Sequence, residues 1–172
     1  MLEELGHLNL SSGWLLRIYK SDYSCVESIQ TVGLRYLHET SSVKDFCDFM
    51  NEYVDEALYD FLLKQVIYIE VYSSKVIDKY RLLVNISLRN FAQGSSINKL
   101  ALNVENYLIT LLSNEKELLE SALCSNAYLQ LLALSRNSNC SNEILESLLN
   151  VKNVKYCRQI KENARLLLKK KE

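Results

Sequence analysis

The sequence predicts an all-α fold of antiparallel helical hairpins stacked one on the next, and three observations predict it. Apolar residues recur along most of the chain at a period near 3.6, the spacing of one buried helix face. Among 172 residues there is no proline and there are only four glycines, so few positions interrupt a helix. A short pattern also repeats. Leu83-x-x-Ile86-Ser87 returns 48 residues later as Leu131-x-x-Leu134-Ser135, and Leu34-x-x-Leu37 lies 49 residues before Leu83. Repeats at such a spacing fit helical units that each bury a face against the next. A compact multi-helix bundle without repeat ancestry is the alternative, because roughly seven or eight short helices also pack that way. In both readings residues 1–172 form one domain, with residues 1–20 as an N-terminal arm or cap.

The elements follow in order. Leu2, Leu5, Leu8 and Leu10 fall on a short segment broken at Gly6 and Gly13, and Trp14, Leu15 and Ile18 share the next face. Ser21-Asp22 starts a helix to about Glu39, striped by Val26, Ile29, Val32, Tyr36 and Leu37. Ser42 and Asp45 have the form of a capping box, with Asp in place of the usual Glu. The helix behind them buries Phe46, Phe49, Met50, Tyr53, Val54 and Ala57, and continues through Leu58, Phe61 and Leu62. Gln65 to Tyr72 alternates β-branched residues as a strand would. No second strand candidate exists to satisfy its backbone, so it is read as helix.

Ser73-Ser74 opens a helix that ends near Gly94, with Leu83 and Ile86 on its stripe and, one turn earlier, Tyr80 or the stem of Lys79. Ser95-Ser96 caps the next, striped by Ile97, Leu100, Ala101, Val104, Tyr107, Leu108 and Leu111. Asn114-Glu115 begins Leu118 to Leu123, and Ser125-Asn126 begins Tyr128 to Arg136. After a polar turn, Ser141 caps Ile144, Leu145, Leu148 and Leu149. The last helix runs from about Asn153 to Leu168, and Lys169-Lys170-Lys171 complement its dipole.

The pattern resembles the armadillo and HEAT α-solenoids, in helix length, in turns of Ser and Asn, and in repeat spacing. Leu82-Leu83-Val84-Asn85-Ile86-Ser87 looks like the third helix of an armadillo repeat, and the resemblance covers Ser24 to Leu149. It implies a stacked superhelix that presents helices to a protein partner. In peptide-binding armadillo proteins a ladder of asparagines holds an extended ligand, with a tryptophan one turn earlier. Here Asn85 alone matches the asparagine, and Tyr36 and Ala133 stand at the equivalent positions. Arg81, Val32 and Leu129 stand where the tryptophan would be. That departure speaks against threading a peptide in the same manner.

Composition narrows the function. Hydrophobic residues make up 48% and charged residues 24%, as in ordinary globular chains. The net charge of −1 gives no strong field toward nucleic acid or an anionic membrane. Leu58 to Tyr72 is the most apolar stretch, but Asp60, Lys64, Gln65 and Glu70 interrupt it, so no membrane span is expected. The start is acidic rather than a basic leader followed by an apolar run. Five cysteines (Cys25, Cys47, Cys124, Cys140 and Cys157) form no paired spacing, so all are expected as free thiols in a reducing compartment, cytoplasmic or nuclear. His7 and His38 are far apart, and no phosphate loop, zinc-protease helix, nucleophile elbow or calcium loop occurs. No catalytic residue, metal or cofactor is expected.

What remains are two charged faces. Asp48, Glu52, Asp55 and Glu56 recur at spacings of three and four and are expected to share one helix face. Arg158, Lys161 and Arg165 form a basic stripe on the last helix. The reading is a non-enzymatic interaction module or adaptor whose partner is another protein, met through these seven residues. A nucleic-acid binder using the basic C-terminal helix is the less favoured alternative, since Glu162 interrupts the stripe and only Tyr156 stands ready to stack. An enzyme with an unrecognised site is the third.

Overall fold

The computed structural model describes residues 28–39, 41–69 and 73–172. Among the described residues there are nine α-helices, one short 3-10 helix and no strand, so the all-α expectation holds. The leucines of the first ten residues, His7, Trp14 and Cys25 lie outside the described residues. The chain divides into two compact units, residues 1–101 and 102–172.

The first unit holds α1 (Ile29–His38), α2 (Val43–Glu52), α3 (Glu56–Lys64), the 3-10 helix Gln65–Tyr68 and α4 (Ser74–Asn90). Helix α2 packs on α4, α1 on α3, and α1 also meets α2 and α4. Their shared interior is Leu37, Phe46, Phe49, Met50, Leu58, Tyr59, Leu62, Tyr80, Leu83 and Ile86, all essentially inaccessible. The rings of Tyr36 and Phe49 stack with centroids 4.7 Å apart. A Cβ built on Gly33 would come within 3.2 Å of Leu58 Cδ1 and 3.3 Å of Leu62 Cδ1. Gly33 thus lets α1 and α3 approach closely. Tyr59 donates its hydroxyl to the Met50 carbonyl at 2.8 Å, tying α3 to the end of α2.

Several ends form as the sequence predicts. Ser42 and Asp45 make the full capping box: Asp45 N donates to Ser42 Oγ at 3.0 Å, and Ser42 N to Asp45 Oδ2 at 3.2 Å. Helix α4 starts at Ser74 as read but ends at Asn90, four residues before Gly94. Gly94 takes φ +81, a left-handed turn that a side chain would strain.

One expectation fails in the first unit. The helix read from Phe46 through Leu62 is two helices, broken over Tyr53, Val54 and Asp55. Asp55 is the reason: its Oδ1 accepts from Ala57 N at 2.8 Å and Leu58 N at 3.2 Å, which opens α3 as a new helix. Val54 and Ala57, read as core, are exposed. Gln65–Tyr68 is a 3-10 turn rather than α-helix, with Ile69 extended behind it.

The unit boundary falls within α5 (Ser96–Leu112). The second unit continues with α6 (Lys116–Cys124), α7 (Tyr128–Leu134), α8 (Asn142–Leu149) and α9 (Cys157–Lys171). Helix α9 packs on α8 and α7, and α6 packs on α7 and α8. The interior gathers Val104, Tyr107, Leu119, Leu131, Leu132, Leu134, Leu145, Leu148, Ile160 and Ala164. Ser95 Oγ accepts from Asn98 N at 3.2 Å, and Ser141 Oγ from Ile144 N at 3.4 Å, so both predicted caps form. Helix α9 begins four residues later than read, because Asn153 and Tyr156 take left-handed conformations ahead of it.

Candidate interaction surfaces

Several buried polar groups serve the fold rather than the surface. Lys79 sits on the apolar stripe of α4 and is fully buried, head as well as stem. Its Nζ donates to the carbonyls of Tyr36 at 2.6 Å and Glu39 at 3.1 Å, and to Ser41 Oγ at 3.0 Å. An ammonium there satisfies carbonyls that the end of α1 leaves open and complements its dipole. Burial draws its pKa below the ordinary 10.5, Lys75 adds to that, and Asp45 opposes. Burial, followed by the charge of Lys79, likewise lowers the pKa of His38, and the His38 ring meets Tyr80 edge-on at 6.3 Å.

The second unit has its own interior stitching. Asn137 is buried, and its Nδ2 donates to the Thr110 carbonyl at 2.9 Å and the Ser113 carbonyl at 2.7 Å. Its Oδ1 accepts from Asn139 N at 2.8 Å. One side chain thus ties the end of α5 to the turn after α7. Cys140 is buried with its thiol on the Leu134 carbonyl, and burial lifts its pKa to about 11. Lys171 bonds the Cys140 carbonyl and anchors the end of α9. The four described cysteines are all free. Among the described residues no three His, Cys, Asp or Glu gather as metal ligands would, and no helix is long and apolar enough to cross a membrane.

The acidic residues do not share one helix face. Asp48 and Glu52 are exposed on α2. Asp55 is the cap of α3, and Glu56 opens that helix with Oε1 3.4 Å from Ser96 Oγ. The break at Tyr53 to Asp55 interrupts the helical phase that the spacing relied on. Asp55 is therefore committed to holding α3.

The basic stripe does lie on one helix. Arg158, Lys161 and Arg165 fall along α9, with Arg158 and Arg165 exposed and Lys161 half-buried. Arg158 Nε reaches Glu162 Oε1 at 2.9 Å, so the interrupting glutamate pairs with the stripe. Beside its start the fold brings together two rings that are distant in sequence. Tyr128 and Tyr156 lie with centroids 5.8 Å apart, and Lys155 Nζ sits 5.6 Å above the Tyr128 ring. Tyr156 holds φ 58 and ψ 20. A left-handed backbone costs a non-glycine residue about 1–2 kcal/mol, less for Asn, whose side chain bonds locally. Among the described residues, Asn126 and Asn153 fill the other two left-handed non-glycine positions.

A further surface was missed in the sequence reading. Leu102, Ile109 and Leu112 on α5 expose 43%, 48% and 42% of their surface. Their offsets of seven and ten residues set them on one side of the helix. The signal was present: they lie outside the predicted stripe of α5 yet are large and aliphatic.

Asn85 and Arg81 are exposed on α4, whereas Val32, Tyr36, Leu129 and Ala133 are buried. The two repeated serines are both inaccessible and bond back into their own helices: Ser87 Oγ to the Leu83 carbonyl and Ser135 Oγ to the Leu132 carbonyl, each at 2.7 Å. In comparisons with known proteins, no family model, no curated protein and no solved structure matches this chain.

Proposed function

We propose that this chain is a non-enzymatic interaction module whose helical hairpins stack as a short armadillo/HEAT-like superhelix and dock a partner protein along one helix face. The observation that carries the reading is the row Leu102, Ile109 and Leu112 on α5. Single exposed aliphatics are common, but large ones aligned on a helix favour contact with another apolar surface. A partner helix with its own apolar stripe would remove all three from water at once. The exposed charges Asp48 and Glu52 in the first unit, and Arg158 and Arg165 in the second, set rate and choice of partner rather than raw affinity. The likeness of Ser87 and Ser135, equally buried behind the repeated Leu-x-x-Ile and Leu-x-x-Leu pairs, supports the stacked-repeat reading.

The test is capture from a lysate of the source cells by the immobilised chain, followed by mass spectrometry. Ile109 is 48% exposed, so Ile109→Glu places a charge on the exposed row with little change in thermal melting. The expected result is a defined protein retained by the parent chain and lost with Ile109→Glu. Equal retention by both would place recognition elsewhere.

A further inference from the structure

The second unit carries a feature that protein docking leaves unexplained. Residues 151–172 hold eight lysines and arginines against two glutamates, in a chain of net charge −1. Lys152, Lys155, Arg158 and Arg165 are exposed along this run. At its start stands Tyr156, which is 41% exposed. Its backbone is left-handed, where the same unit elsewhere uses asparagine. Burial offsets that strain only in part, because much of the residue stays exposed. Contact with Tyr128 steadies the ring, and Lys155 lies over Tyr128.

We infer that Tyr156, backed by Tyr128 and flanked by Lys155 and Arg158, is a binding site for single-stranded nucleic acid. A base stacks on an exposed aromatic face whatever its identity, while lysines and arginines spaced along a helix follow the phosphates. Both halves of that chemistry meet here within one unit. An acidic peptide would use the charges equally well but would gain little from a held aromatic ring.

The experiment uses the full chain and a fluorescent oligouridine of about 12 nucleotides, a typical length for such sites. Anisotropy is read between about 50 and 200 mM salt, where phosphate contacts make binding fall steeply. Tyr156→Asn keeps a residue at ease in the left-handed backbone, and Tyr156→Gly is the second such variant should the first not fold. The expected result is oligouridine binding that weakens about tenfold without the ring, at an unchanged or raised melting temperature. Lys155→Ala and Arg158→Ala each flatten the salt slope by about 0.7, the share of one phosphate contact on a single strand. A labelled polyglutamate of matched charge binds more weakly and is indifferent to Tyr156. No binding of oligouridine, binding indifferent to the ring, or polyglutamate bound as tightly would overturn the assignment.

Discussion

Lys79 shows how one side chain can join three segments. Its amine reaches from α4 to the last carbonyls of α1 and to Ser41 before α2. The stripe pattern offered the stem only as an alternative to Tyr80 and gave no sign that the charge would follow it inside. Hydrogen bonds from a charged donor contribute about 1.5–3 kcal/mol each, and a stranded buried acceptor costs about 1–3. Lys79→Met keeps the stem, forfeits the bonds and relieves the buried charge. The Tyr36 carbonyl retains the Ser41 hydroxyl at 2.6 Å, which limits the loss. We expect Lys79→Met to lower unfolding stability by about 2 kcal/mol, read as a shift of the urea midpoint at constant slope. A variant as stable as the parent would mean that the desolvation of the ammonium cancels its bonds.

At the scale of elements, the break between α2 and α3 carries the lesson. Phe49, Met50, Tyr53, Val54, Ala57 and Leu58 keep a helical period across it, so periodicity alone read one continuous helix. Asp55 interrupts it by bonding two free amides of α3. An aspartate followed by Glu56 and an apolar run is itself a start signal, of the kind that correctly located Ser42, Ser95 and Ser141. Losing such a cap costs about 1 kcal/mol. Asp55→Ala should therefore destabilise the chain by about that amount, while Asp48→Ala, at an exposed position of α2, leaves the urea midpoint in place. Equal effects would remove the cap from the explanation. Helix existence, stripes and most caps were readable because they depend on neighbours within a few residues. The pairing of Tyr128 with Tyr156 was not, because 28 residues separate them and only the packing of α9 against α7 and α8 brings that segment back. Nor does any local pattern foretell a left-handed tyrosine.

At the scale of the molecule, the described helices of each unit gather apolar residues into an interior and leave most charged and some large apolar residues exposed. Two buried residues sit at helix ends: Lys79 donates to the Tyr36 carbonyl in the last turn of α1, and the Cys140 carbonyl accepts from Lys171 at the end of α9. The apolar row of α5 is the surface to which we assign recognition. A photo-cross-linking residue at position 109, introduced in the cells of origin, reads that surface directly. The same residue at Ser121, exposed on α6, is the control. The proposal predicts one discrete protein adduct from position 109 and none from position 121. No adduct from 109, or the same adducts from both positions, would contradict it.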